Sequence, residues 1–563
     1  VVPEAAVCDL SGNRLRAASG AVMVFLRGTV RMGNRALGRH RAMILAGQRD
    51  DWTTCDAGSR YLRMEDKMSG IRTRRLSRWI LKSALLVALC ACLWALAASA
   101  WADRIRFTDD GFVYLDGRPR LVIGLYENPQ DDAILKQVAD SGFNLVRAGA
   151  DKQALDRLQK HGLYGWIPLG GALELKEGDA AARAALADAV RRFKDHPALL
   201  AWEAPDEALW TTWFASYQWL ALEMPQVLSG MIAKAAANHK PEDVARWQAM
   251  AAKASDLLWR SMWKEAEATL DRLWAELGTT NPKPDLYVTR RIQAARRLGD
   301  DLTRGWEAVW ELDQAHVMWQ NHAPENSIAD MSYYDRGVNA AGCDIYPIFF
   351  SPGEPDSLLQ NLEMTAVGTF TERNRAAAPG KACWMVLQGF GYKDIHEPLF
   401  PADPVHGRRP VYKETRFMAY DALLHGANAI LYWGTAYIEK DSQLWQGILS
   451  VAKELRALEP GIVGIKPSAA PTVVAETNWA AFDGGDPKLI LRRADDDWVL
   501  IAVNEANVGV AFDVRGLPGE LNGRKLYRLN SDEEHVVENG GFHDGIQRHD
   551  VQVYATSRRF EAR

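Results

Sequence analysis

The sequence predicts an α/β protein: a (β/α)8 barrel with a helical insertion after its fourth strand, followed by a C-terminal all-β sandwich domain. Three observations predict it. Short apolar runs alternate with amphipathic helical stretches, the rhythm of parallel strands and crossover helices. That rhythm breaks once, over about 210–305, where the chain reads helical throughout. Past Pro460, short alternating runs follow one another between Gly, Asn and Asp turns, with no helix among them.

The chain divides accordingly. Residues 1–67 show neither period and carry an Arg-rich patch at Arg35, Arg39 and Arg41. Met68 opens a basic segment of Arg72, Arg74, Arg75, Arg78 and Lys82. An apolar run from Ser83 to Ala98 follows, then Ser99-Ala100-Trp101-Ala102 with small residues where a signal peptidase reads. These are the three parts of an export signal over 68–102, with cleavage after Ala102. Met68 then reads as the true start and 1–67 as a non-structural upstream segment. A disordered cytoplasmic tail is the alternative for 1–67, and an uncleaved anchor helix is the alternative for the apolar run, which is nearly long enough to span. The expected location is secreted or periplasmic, with membrane contact only through the export signal.

Of the six cysteines, Cys8, Cys55, Cys90 and Cys92 precede the cleavage point. Cys343 and Cys383 alone make neither a disulfide framework nor a metal site by spacing, so no metal and no cofactor are expected. A net charge of −5 gives no basic field for nucleic acid. The 21 tryptophans suit cores and sugar faces alike. Oligomeric state is not legible.

The barrel is expected over 103–460. Asp110-Gly111 and Asp116-Gly117 punctuate two alternating runs from Arg104, the signal of a small antiparallel ribbon under the barrel. Strands are then expected at Leu121 to Leu125, Phe143 to Val146, Leu163 to Pro168 and Ala198 to Trp202. Helix faces lie between them, closed by Gly142 and Gly162. After the insertion, strands are expected at His316 to Gln320, Cys343 to Pro347, Trp384 to Gln388 and Ala429 to Trp433. A last helix covers Ser442 to Leu458. The Trp259/Trp263 and Leu270/Trp274 pairs of the insertion stand one helical turn apart and predict packing against the barrel. The sandwich is expected over 461–563.

The stretch His196 to Leu209 organises the chemistry. A buried strand ends there, and Glu203, Asp206 and Glu207 follow around Pro205, which discourages a helix. The C-terminal ends of parallel barrel strands are where catalytic groups sit. The bland alternative is a pair of acids capping the next helix.

Three motifs in order resemble a secreted glycoside hydrolase of the large clan A. Phe112-Val-Tyr-Leu-Asp-Gly-Arg-Pro-Arg-Leu-Val-Ile-Gly-Leu-Tyr is similar to the hairpin and first strand of such enzymes. Trp202-Glu-Ala-Pro-Asp-Glu is similar to their fourth-strand motif, and Gly426-Ala-Asn-Ala-Ile-Leu-Tyr-Trp-Gly to their eighth strand with its sugar-stacking Trp. The resemblance spans roughly 104–458 without the insertion. It implies that Glu207 is the acid/base. It also implies a nucleophilic Glu at the end of strand seven, but Trp384-Met-Val-Leu-Gln-Gly-Phe-Gly places the neutral Gln388 there.

Glycoside cleavage needs an acid at the leaving oxygen and a second carboxylate. Glu207 is the expected general acid, with Asp206 and burial raising its affinity for a proton. Asp344 is the expected second group. Glu127, Asp394 and Glu397 are alternatives, and Asp344 equally suits holding a substrate hydroxyl or Arg147. At roughly 5 Å per strand, the tips of strands four and six stand about 9 Å apart, within the roughly 6.5–9.5 Å of inversion through a water. Expected substrate-binding residues are Tyr126, Glu127, Arg147, Asp206, Asn321, His322, Tyr346, Gln388 and Trp433, with Trp166 and Phe390 as further aromatic candidates. The expected activity is hydrolysis of glycosidic bonds in a poly- or oligosaccharide. A catalytically silent carbohydrate-binding barrel is the alternative, suggested by Gln388. A membrane-anchored structural protein would need the Ser83 to Ala98 segment retained.

Overall fold

The computed structural model describes residues 105–348, 361, 363–396, 407–468, 470–476 and 486–562. The export signal, the upstream segment and Glu397 lie outside the described residues.

Strands β1 (Val113–Leu115) and β2 (Arg118–Arg120) form the ribbon. Its turn is Asp116-Gly117, both at positive φ, the pairing a two-residue hairpin requires. The other Asp-Gly step, at Asp110-Gly111, separates Phe107 from Val113, which meet only as an isolated bridge. Val113 and Leu115 pack into the apolar interior of the barrel and close its N-terminal end.

Eight parallel strands close the barrel. They are β3 (Val122–Leu125), β4 (Leu145–Arg147), β5 (Tyr164–Pro168), β6 (Leu199–Glu203), β7 (Val317–His322), β8 (Ala340–Ile345), β9 (Ala382–Gln388) and β10 (Ala429–Trp433). β10 pairs with both β3 and β9. Helices α1 (Asp132–Asp140), α2 (Lys152–Lys160) and α3 (Ala180–Phe193) cross between the first strands. Asp131, Asp151 and Asp179 cap them with side-chain carboxylates that accept from backbone N–H groups.

The insertion between β6 and β7 contains α4 (Ala208–Tyr217), α5 (Met224–Ala235), α6 (Pro241–Trp259), α7 (Trp263–Glu276) and α8 (Val288–Trp310). A π-helical segment, Gln218–Glu223, joins α4 to α5. The insertion builds its own core around Trp219, Trp247, Leu270 and Trp274. The expected packing of its Trp pairs on the barrel therefore does not hold: Trp274 serves that internal core, and Trp259 is 82% exposed. It is α8 that joins insertion to barrel, burying Leu302, Trp306 and Val309 in the barrel's outer core.

The remaining helices are α9 (Ile328–Tyr334), α10 (Ala366–Ala377), α11 (Tyr392–His396), α12 (Tyr412–Leu424) and α13 (Gln443–Ile462). The sixth barrel strand begins at Ala340, three residues before the expected Cys343. Its opening Ala-Ala-Gly carries no apolar bulk, and smallness is required there: a Cβ on Gly342 would lie 1.6 Å from the Trp384 carbonyl oxygen.

Strand alternation separates two cores. Val122, Leu145, Trp166, Val317, Trp319, Trp384, Val386 and Leu431 fill the barrel interior. Their three indoles meet edge-on or tilted at 5.8 and 5.6 Å between ring centroids. Alternate residues such as Val146, Ile167, Met318 and Ile430 face the helices.

The C-terminal part has two antiparallel sheets. One orders β11 (Thr472–Glu476), β14 (Val510–Arg515) and β17 (Phe542–Ile546). The other orders β12 (Lys488–Ala494), β13 (Asp497–Asn504), β18 (Asp550–Ala555), β15 (Lys525–Arg528) and β16 (Glu534–Val536). Leu500, Phe512, Val514 and Tyr554 pack between the sheets. Val499, Ile501, Val503 and Val553 join the core that contains α12 and α13, so the central strands β13 and β18 are buried on both faces. Among the described residues, no helix is long and apolar enough to cross a membrane.

Candidate active site

β6 ends in Glu203, and the chain turns through Ala204 and Pro205 to Asp206 and Glu207 before α4 begins. Glu207 occupies the cap position of α4 in the left-handed region, at φ 46°. That conformation is costly for a residue with a Cβ and is held only where the surroundings impose it. Neither acid caps the helix. Glu207 makes no capping hydrogen bond, and Asp206 accepts from Asn321 Nδ2 at 2.8 Å instead.

The same Asn321 amide donates to Asp344 Oδ1 at 3.2 Å. One side chain on β7 thus ties the loop after β6 to the end of β8. The carboxyl groups of Glu207 and Asp344 are in hydrogen-bond contact. The separation of about 9 Å expected from strand spacing therefore does not hold. That estimate treated Glu207 as a strand tip, but it lies four residues beyond β6, in a loop that reaches β8.

Burial raises the proton affinity of both carboxyls. The negative charge of Asp344 raises Glu207 further, while the hydrogen bond from Glu207 favours the ionised form of Asp344. Burial and the charge of Asp206 push Asp344 up to about 7, and Glu207 is raised further, so the pair holds its proton at neutral pH chiefly on Glu207. Asp206 is raised as well, by burial. Glu325, in the loop after β7, is raised by burial and adds negative potential at Glu207.

Beneath these groups, Glu203 is fully buried. It accepts from Trp166 Nε1 at 3.1 Å and from Arg147 Nε at 3.3 Å. Burial and the charge of Asp206 push its carboxyl up to about 7, against the pull of Arg147. Arg147 lies 5.9 Å from the Tyr126 ring centroid. Tyr126 is edge-on to Trp166 at 5.1 Å, and its buried hydroxyl finds no hydrogen-bond partner.

An aromatic wall stands beside the carboxyl pair. Tyr346 and Trp433 stack at 5.6 Å with 22° between their planes, and Phe390 packs edge-on against both. Tyr346 and Trp433 keep partial exposure, while Phe390 and Trp166 are buried and belong to the core.

Other expected site residues go elsewhere. His322 faces outward from β7 and pairs with buried Asp335 at 2.8 Å, because strand alternation gives the inward position to Asn321. Gln388 binds only backbone: it accepts from Ile348 N at 2.9 Å and donates to the carbonyls of Ile348 and Phe390 at 3.0 and 3.1 Å. It is fully buried and clamps the segments after β8 and β9. Neither residue is placed to touch a substrate. Glu127 reaches the mouth but is ion-paired to Lys440 at 2.5 Å. Asp394 is held by Arg409 through both carboxylate oxygens and by Gly391 N.

The site brings together Tyr126, Arg147, Asp206, Glu207, Asn321, Asp344, Tyr346 and Trp433 around the C-terminal mouth. Sequence reasoning gave Glu203 no role and missed Glu325 and Lys440. For Glu325 a signal existed: like Glu207 it follows a proline just past a strand end, in Ala323-Pro324-Glu325. Lys440 follows no strand directly, and nothing in its sequence surroundings marks it.

No protein-family model and no curated protein match the chain. Among solved structures it is similar to a β-galactosidase from the psychrophilic Marinomonas ef1, at 14% identity and TM-score 0.37. That match covers 60% of each chain, so this chain spans three fifths of that protein's length. It is also similar to a GH42 β-galactosidase from G. stearothermophilus, at 10% identity and TM-score 0.44, covering 77% of this chain and 98% of that one. A glycoside hydrolase family 5 protein from Bacteroides vulgatus matches at 12% identity and TM-score 0.45, covering 81% and 94%. The roles given below to residues rest on the geometry of the mouth.

Proposed function

We propose that this protein hydrolyses glycosidic bonds in a poly- or oligosaccharide, with Glu207 as general acid and Asp344 as the second carboxylate. The observation that carries the reading is the carboxyl pair itself, both members raised and Glu207 the more strongly, beside a stacked Tyr346–Trp433 face. Two carboxyls whose proton affinities are pushed apart are what acid-assisted departure of a sugar requires. A sugar ring offers an apolar face to aromatic side chains and hydroxyls to polar ones. The motif resemblance adds fold-level analogy.

In the resting geometry the two carboxyls satisfy each other. A glycosidic bond entering between them replaces that contact. Glu207 turns its proton to the leaving oxygen, while Asp344, fixed on β8 and held by Asn321, faces the anomeric carbon or its attacking water. Asp344 is fixed on a strand, so the Glu207 side chain, in the turn before α4, is the partner that turns. Asp206 accepts from the same Asn321 amide and binds a substrate hydroxyl, and Arg147 does so from beside Tyr126. Export before action is part of the reading, supported by the three-part signal over 68–102. N-terminal sequencing of exported protein should then begin at Asp103, and Val1 or Met68 there would contradict it.

Incubation with a polysaccharide panel tests the activity. New reducing ends are expected from at least one member. Sugar binding without any release of reducing ends would mark a silent carbohydrate-binding barrel instead.

A further inference from the structure

Helix α4, which leads away from Glu207, carries large rings on the wrong side for packing. Its buried positions are Ala208, Leu209, Thr212 and Ser216. Thr212 donates to the Ala208 carbonyl at 3.1 Å and Ser216 to the Leu286 carbonyl at 2.8 Å, so both inward hydroxyls are satisfied. Trp213 packs on the outer core of the barrel. Trp210, Phe214 and Tyr217 recur at i, i+4 and i+7 and form a separate stripe. Phe214 is 37% exposed and Tyr217 52%. Ring centroids along the stripe are 5.8 and 6.3 Å apart, and successive planes diverge by only 29° and 26°. Packing alone turns rings inward and hydroxyls outward. Along this stripe the rings meet water.

The stripe leads from the mouth to a cleft. Trp210 stands three positions beyond Glu207, and Tyr217 lies about 15 Å beyond it along the helix axis. Tyr217 also lines a cleft of about 520 Å³, together with Trp213, Trp259, Trp263 and Ser255. That volume is of the size that holds small organic ligands. Trp259 closes α6 almost bare to water and takes no part in the core of the insertion.

We propose that Trp210, Phe214 and Tyr217, continued by Trp259 across the cleft, form a track for a polysaccharide chain whose cleaved bond lies at Glu207. The inference rests on the glycoside-hydrolase reading and deepens it: the substrate is a polymer that extends along the insertion, rather than a short oligosaccharide. A sugar ring lays its apolar face on an aromatic one, and a line of rings in nearly parallel planes suits a ligand that repeats. The line begins at the acid, so one chain occupies mouth and track together. Binding along α4 then holds the scissile bond in place, and contacts remote from the reacting atoms contribute to the rate.

The test is affinity electrophoresis of the full chain, in the cold, through gels containing soluble xylan, galactan, cellulose ether or amylose. Wild type should be retarded by at least one polymer. Its affinity for the matching oligosaccharides should rise from disaccharide to hexasaccharide. Phe214→Ala, Tyr217→Ala and Trp259→Ala, all at exposed positions, should each weaken polymer binding by about 2–10-fold, the size of one ring-stacking contact, and flatten that rise. Leu222→Ala, 50% exposed and outside the cleft lining, should change neither. Retardation by no polymer would overturn the proposal, as would polymer affinity unmoved in all three ring variants. Equal weakening by Leu222→Ala would overturn it by showing unspecific apolar adhesion. A wild-type dimer in light scattering that Tyr217→Ala breaks would overturn it by giving the stripe to a second copy. Reducing ends separate the track from hydrolysis. Binding weakened by the ring variants with no reducing ends released would uphold the track and remove the role of Glu207. Reducing ends released with binding unmoved by those variants would do the opposite.

Discussion

The carboxyl of Glu207, at the left-handed turn before α4, hydrogen-bonds the carboxyl of Asp344 at the end of β8. Two acids in contact inside a buried mouth cannot both ionise at neutral pH, so this pair stores a proton where a leaving oxygen would need it. The neighbourhood sharpens the effect: Asp206, Glu203 and Glu325 crowd the same mouth, and Arg147 is the cation nearest to the first two.

Gln388 is predicted to be structural. Gln388→Glu should not create a nucleophile, because the side chain is turned into the backbone of Ile348 and Phe390. An ionised Glu cannot donate to those two carbonyls, and each buried orphan costs about 1–3 kcal/mol. The expected outcome is a fall in stability of roughly 2–6 kcal/mol with no gain in rate, read by denaturant unfolding and by glycosidase assay. A fully stable variant with increased turnover would show that position 388 does reach the substrate.

Glu203 predicts a pH dependence of stability. Its carboxyl is pushed up to about 7 from 4.5 by burial. A group raised in this way favours the folded state fully below its unfolded value and loses that contribution as pH rises through the folded value. At about 1.4 kcal/mol per unit, wild type should lose on the order of 3 kcal/mol from this group between pH 4.5 and 8. Glu203→Gln can still accept from Trp166 and should flatten the loss by that amount. Urea midpoints at pH 5 and pH 8 measure it, and equal slopes for the two proteins would refute the assignment.

The barrel was legible in the sequence because each strand is a short apolar run and each helix has a one-sided face. Ala429 to Trp433 matches β10 at both ends. Strands without bulk were not legible: β8 opens on Ala340-Ala341-Gly342, and β17 reads Phe-His-Asp-Gly-Ile. At the mouth, Asn321 and Asp344 were legible because they stand at the ends of strands, where a barrel gathers its polar groups. His322 and Gln388 were misplaced for different reasons. His322 is one residue out of phase. Gln388 is in phase, but the backbone after β8 and β9 folds over it and takes all of its hydrogen bonds. The contact between Glu207 and Asp344 depends on a positive φ in a loop, which no periodicity reports.

Glu207→Gln tests the central claim most directly, assayed on a natural polysaccharide and on an aryl glycoside with a good leaving group. Glu and Gln have nearly the same shape, so folding and sugar binding should persist while the transferable proton is lost. Turnover of the polysaccharide should fall by about 10²–10⁴-fold, the usual contribution of general acid catalysis. The aryl glycoside should suffer less, since its departure needs little protonation. Asp344→Asn, by contrast, should be impaired on both substrates. Wild-type turnover of the polysaccharide by Glu207→Gln would contradict the account and move the chemistry away from this carboxyl pair.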